Sequence, residues 1–132
     1  MCLSLLGTFN AGSATEKWDA TRSSLYQVLV SIQSQILTEH PIVNEPGYDE
    51  RHATSAAGAV YNAKLRLQTI RHAMTAQLKQ PPPGFEDVVT AHFALLRKAA
   101  LRQARQWARD APEDLRGKME AALTGLHAAL PN

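Results

Sequence analysis

The sequence of 132 residues holds a single cysteine, Cys2. One thiol excludes an intramolecular disulfide and a cysteine-built zinc cluster, and it fits a reducing compartment, cytoplasm or nucleus. The five histidines (His40, His52, His72, His92 and His127) include no His-x-x-x-His pair, so no metal site is expected. No apolar run approaches the roughly 18–20 residues of a transmembrane helix. The apolar start from Met1 to Phe9 is short and lacks a charged lead-in, so no signal peptide is expected. There is no glycine-rich phosphate loop and no Asn-x-Ser/Thr site. Charge of one sign is also scarce. A net charge of +2 is too mild to call for nucleic acid by itself. No internal repeat is visible.

What is present is enough to fold, and it is unevenly spread. Hydrophobic residues make up 45% and charged residues 20%, ordinary for one packed domain. Residues 1–52 hold three alanines and residues 53–132 hold eighteen. The first stretch carries three bases against six acids, the second eleven bases against six acids. The second part therefore reads as alanine-rich helix, and the first as loops around one helix.

Apolar spacing gives four helices and almost no strand pattern. Residues 1–22 read as a loop. The first helix runs from about Ser23 or Ser24 to Thr38, with Leu25, Val28, Leu29, Ile32 and Ile36 on one face. His40-Pro41 stops it, and residues 40–52 form a loop punctuated by Pro41, Pro46 and Gly47. The second helix spans about 55–79, facing inward with Val60, Ala63, Leu67, Ile70, Met74 and Leu78. Pro81-Pro82-Pro83-Gly84 breaks the chain as a stiff stop. The third helix spans about 85–109 along Phe85, Val89, Phe93, Leu96, Ala100 and Trp107. Pro112 opens the last helix as a first-turn proline, with Leu115, Met119, Leu123, Leu126 and Leu130 as its stripe. On the third helix Lys98, Arg102, Arg105 and Arg109 recur at helical spacing beside Arg97, with no acid from 97 to 109. Such a stripe suits a solvated face or a surface for an acidic partner. No aromatic residue interleaves it as base stacking would need.

Several motifs then follow in one order: Cys2-Leu3-Ser4-Leu5-Leu6-Gly7-Thr8, Trp18, Val28-Leu29-Val30-Ser31-Ile32-Gln33-Ser34, and Asn44-Glu45-Pro46-Gly47-Tyr48. This series resembles the catalytic half of ubiquitin-conjugating enzymes, most of all the large hybrid conjugating enzyme/ligase group of the BRUCE (apollon) kind. The resemblance covers residues 2–48 strongly and 58–108 more weakly. It implies a partial conjugating domain over 1–109 and a helical extension over 112–132. It makes Cys2 the nucleophile that carries ubiquitin as a thioester, chemistry a thiolate suits. It places Trp18 in the core near the active-site loop. It puts Asp19, Ala20 and Thr21 at the ligase-facing loop, without the proline often found there. Val30 and Ser34 fall on the helix surface against which linked ubiquitin folds back. Asn44, Glu45 and Asp49 lie in the loop nearing the cysteine, where an acid could orient or deprotonate the incoming lysine. The implied partners are ubiquitin, an activating enzyme, a ligase and substrate proteins. No cofactor is implied here, because ATP is used by the activating enzyme.

In that family an N-terminal helix, a four-stranded antiparallel meander and a His-Pro-Asn motif precede the cysteine. This sequence begins one residue before it. The expected fold is therefore mainly α, the C-terminal helical half of an α+β fold. About five side chains on the first helix then lose their sheet, each forfeiting roughly 1.5–3 kcal/mol of burial. The chain by itself is expected not to charge with ubiquitin, since loss of an oxyanion donor costs on the order of a hundredfold in rate. A reading from another class is a non-catalytic α-helical interaction module.

Overall fold

The computed structural model describes residues 18–131. Among them there is no strand, and the helices form four runs. The chain divides into two compact units, residues 1–55 and 56–132.

In the first unit, α1 (Leu25–Ser31) continues into a wider π-type segment, Ile32–Ile36. Its start is a capping box. Ser24 Oγ accepts from the Gln27 amide at 3.3 Å, and Gln27 Oε1 accepts from the Ser24 amide at 2.8 Å. Two otherwise unpaired donors are satisfied reciprocally, which fixes Ser24 rather than Ser23 as the cap. The run ends at Ile36, before the expected Thr38. The segment read as a plain loop holds two single 3-10 turns, Pro41–Asn44 and Glu50–His52, joined through Gly47 at φ 88°. That left-handed geometry suits glycine. Among the described residues of this unit the buried apolar side chains are Val28 and Ile42. The rest of the helix face is open, with Leu25 70% and Leu29 56% exposed. Trp18, expected in a core, is 47% exposed; among the described residues this unit buries too little to enclose an indole.

The second unit has a real core. Its first run comprises α2 (Ala56–Gln68), a π-type segment (Thr69–Ala76) and α3 (Gln77–Lys79), matching the expected span. Thr69 opens the wide segment, and its hydroxyl donates to the Leu65 carbonyl at 2.9 Å. Such bonding back to the previous turn competes with the regular ladder. Ser34 does the same within the other wide segment, donating to the Val30 carbonyl at 2.9 Å. The proline run breaks the chain, and Gly84 takes φ 83° just ahead of α4 (Glu86–Arg109). Glu86 and Asp87 stand in the first turn of α4, where acids complement the helix dipole. In α5 (Glu113–Ala129), Pro112 sits at the N-cap, one place earlier than expected, with Glu113 and Asp114 behind it.

These helices share one core. Ile70, Ala104, Met119 and Leu126 are fully enclosed, and Ala63, Leu67, Phe93, Leu101, Ala108, Ala111, Leu115, Ala122 and Leu130 complete it. Helix α5 packs on α4, on α2 and on the wide segment after α2. Small side chains at Ala104, Ala108 and Ala122 let helix axes approach closely, and the flexible Met119 fills the remaining space. The expected face of α4 is kept in part, with Phe93 buried and Val89 and Trp107 packed against the core. Leu96 and Phe85 are exposed, and Leu101, Ala104 and Ala108 point inward instead. Val60 of α2 is likewise exposed.

Candidate functional site

The described candidate residues all belong to the first unit. Cys2 lies outside the described residues.

Asp19, Ala20 and Thr21 form a self-supporting turn. Asp19 Oδ1 accepts from the Thr21 amide at 2.8 Å and from the Thr21 hydroxyl at 2.6 Å. Its Oδ2 accepts from Arg22 Nε at 2.9 Å. The Asp19 carbonyl takes the amides of Arg22 and Ser23 at 3.0 and 2.7 Å, and Ser23 Oγ accepts from the Asp19 amide at 3.0 Å. The hydroxyl and then the amide of Thr21, with Arg22 after them, hold the Asp19 carboxyl below its ordinary pKa. This turn supplies local order without a proline and hands the chain directly to the cap of α1.

Val30 and Ser34 sit one turn apart on the first helical run, and both are exposed. Their hydrogen bond directs the Ser34 hydroxyl along the helix. The loop is fastened to the same run, because Asn44 Nδ2 donates to the Gln35 carbonyl at 2.8 Å. The structure therefore brings Asn44 to the residue next to Ser34, a tie that no spacing rule in the sequence announces.

Asp49 is committed differently. It caps the turn Glu50–His52, accepting from the Arg51 amide at 3.0 Å, while Arg51 Nη2 reaches its Oδ2 at 2.6 Å. His52 Nδ1 lies 3.1 Å from both the Asp49 amide and Asp49 Oδ1. One nitrogen cannot accept from the first and donate to the second together, so the ring's proton position selects the contact. Tyr48 packs edge-on against His52, centroids 5.0 Å apart. The Arg51 guanidinium is the main reason that the Asp49 carboxyl is held below its ordinary pKa. A carboxylate so stabilised is a weak proton acceptor, and its local value is as a fixed negative charge. Glu45 is exposed in the same loop. Among the described residues no group of His, Cys, Asp and Glu could hold a metal ion. No helix there is long and apolar enough to cross a membrane.

Comparison with known proteins bears on this arrangement. No family model matches the chain. The chain is 36% identical over 132 residues, 98% of its length, to the human dual E2 ubiquitin-conjugating enzyme/E3 ubiquitin-protein ligase BIRC6. It is 37% identical over 86% of its length to the probable ubiquitin-conjugating enzyme E2 R521 of Acanthamoeba polyphaga mimivirus. With the probable ubiquitin-conjugating enzyme protein 17 of Caenorhabditis elegans it shares 43% identity over 81% of its length. The chain carries ubiquitin-conjugating domain sequence of the BIRC6-like type. It spans 3%, 8% and 15% of the lengths of these three relatives. The strand-free helical runs agree with the C-terminal helical part of the conjugating fold.

Proposed function

We propose that this chain serves as the ubiquitin-carrying part of a conjugating (E2) domain, with Cys2 as nucleophile. The observation that carries the reading is the likeness to ubiquitin-conjugating enzymes, at 36–43% identity over 81–98% of the chain for the relatives named above. In the first step the Cys2 thiolate attacks the thioester carbonyl of ubiquitin held by the activating enzyme. A new C–S bond forms at Cys2, and the activating enzyme's thiolate leaves. In the second step the neutral amine of a substrate lysine attacks the same carbon. An isopeptide bond forms, the Cys2 thiolate leaves, and the amine's proton passes to solvent or a nearby base.

The loop residues fit the second step by position and charge. Asn44, braced on Gln35, offers an amide fixed against the helix end, and Glu45 and Asp49 add negative charge that attracts a lysine ammonium. Because its pKa is lowered, Asp49 orients rather than deprotonates. Val30 and Ser34 present the exposed surface for linked ubiquitin, and the turn Asp19-Ala20-Thr21 faces a ligase. The activating enzyme, a ligase and protein substrates are the partners, ATP is consumed outside this chain, and the reaction runs in the cytoplasm or nucleus.

Charging decides the matter. The chain, joined to the strand-rich N-terminal segment of a relative, is incubated with activating enzyme, ubiquitin and ATP. We expect an adduct that reducing agent removes, that Cys2→Ala abolishes, and that Cys2→Ser converts to a reductant-resistant ester. The 132-residue chain by itself is expected to form none. An adduct that persists in Cys2→Ala, or a joined protein that never charges, overturns the reading.

A further inference from the structure

Helix α4 carries a second, outward seam that neither its core packing nor the conjugation chemistry uses. Its inward face is made by Phe93, Leu101, Ala104 and Ala108. Away from that face, Val88, Leu95, Lys98, Arg102, Arg105 and Arg109, with Ala91 between the first two, follow one another at alternating steps of three and four. This is the spacing by which a helix keeps one stripe facing a second helix. The stripe changes character midway. Val88 is 60% and Leu95 84% exposed, so two large apolar side chains stand in water on the first half. Lys98, Arg102, Arg105 and Arg109 are all exposed on the second half, over about 17 Å of helix.

Those cations lack anionic partners. Among the described residues the ion pairs involve Arg22, Arg51, His52 and Arg116, none on α4. Arg109 donates only to the neutral amide oxygen of Gln106. Asp110 takes hydrogen bonds from Gln106 rather than pairing with an arginine. Four like charges on successive turns repel one another, a cost that an opposing acidic surface reverses.

We propose that this seam docks an amphipathic helix of a partner, with apolar residues over Val88 and Leu95 and acidic residues over Lys98, Arg102, Arg105 and Arg109. Charge complementarity names the acidic half, and the exposed Val88 and Leu95 name the apolar half. A purely acidic polymer satisfies only one of these. The seam belongs to the second unit, so the inference stands apart from the thioester reading.

The test uses the full 132-residue chain and a synthetic peptide of about 20 residues, long enough to cover the seam as a helix. Its inward positions are leucine over one half and glutamate over the other. A peptide of the same composition in scrambled order is the control. We expect saturable binding of the patterned peptide that weakens as NaCl rises from about 50 mM to about 500 mM. Reversing three charges together (K98E, R102E, R105E) is expected to weaken binding about tenfold or more and to flatten the salt dependence. Leu95→Gln is expected to weaken it several-fold and leave that dependence intact, while the thermal melt stays put because Leu95 packs on little. The proposal fails if the scrambled peptide binds as well or no binding saturates. It also fails if an oligonucleotide binds more tightly than the patterned peptide. Self-association of the chain that Leu95→Gln abolishes would assign the seam to a second copy instead and overturn the proposal.

Discussion

The two units solve the burial problem very differently. Residues 56–132 enclose thirteen side chains in one cluster drawn from three helical runs and the turns after α4 and α5. Residues 18–55 bury Val28 and Ile42 and leave Leu25, Tyr26, Leu29 and Leu37 open. Yet every described candidate for ubiquitin transfer lies in the second of these groups, on the thinly cored segment. Stability and the proposed chemistry are thus housed apart. The first unit is held by capping, turns and side-chain-to-backbone bonds, each worth about 1 kcal/mol, and the second by apolar burial summed over many contacts.

The strongest way to break this contrast is to remove matched volume from each unit. Met119 is fully buried, so Met119→Ala is expected to cost about 2–5 kcal/mol. The cooperative far-UV melt should fall by about eight degrees or more at about 4–8 °C per kcal/mol. Leu29→Ala removes a side chain that is mostly in water already and should shift that melt hardly at all, within about 0.5 kcal/mol. Equal shifts from the two substitutions would mean that the units unfold as one.

A smaller effect isolates the first unit. Ser24→Ala removes the capping oxygen and strands the Gln27 amide, at a cost of about 1 kcal/mol. Amide exchange in α1 should speed up about fivefold, while amides of α4 and α5 keep their protection. Ser23→Ala, which loses only the bond from the Asp19 amide, should leave α1 exchange unchanged. If both serines act alike, the capping assignment is wrong.

The same contrast explains what the sequence made legible. Helix existence was readable wherever large apolar residues recur: the second run, α4 and α5 lie within a residue or two of expectation. The core face of α4 is legible only in part: Phe93, Val89 and Trp107 do pack on the core, whereas large-residue spacing also selects Phe85 and Leu96, which are exposed. Ala104 and Ala108 decide the face, since close helix approach rewards the smallest side chains. The two wide turns were hidden for a related reason. Ser34 and Thr69 look like neutral helix residues, and their back-bonds to Val30 and Leu65 are local competition that apolar periodicity does not register. At the candidate site the motif order was legible and the bracing was not. The Asn44 tie to Gln35 spans nine residues and follows from where the 3-10 turn Pro41–Asn44 aims its last side chain.

Acid sharpens the comparison most gently, because it acts on the turn around Asp49 and spares the apolar core. The Asp49 carboxyl is held below its ordinary pKa, first by the hydrogen bond from Arg51. A depressed carboxylate contributes stability that is complete above the pKa of the unfolded chain, about 4, and that is lost as pH falls through the lower folded value. The turn Glu50–His52 should therefore hold its geometry at neutral pH and loosen only below about pH 4. The amide signals of Arg51 and His52 report it directly, since the first donates to the Asp49 carboxylate and the second to the Asp49 carbonyl. In Asp49→Asn the acid-dependent shift of the Arg51 amide should vanish, because the neutral amide oxygen still caps the turn but no longer titrates or draws the guanidinium. A shift that survives in Asp49→Asn would mean that Asp49 is not the titrating group and leave the position of Arg51 without its cause.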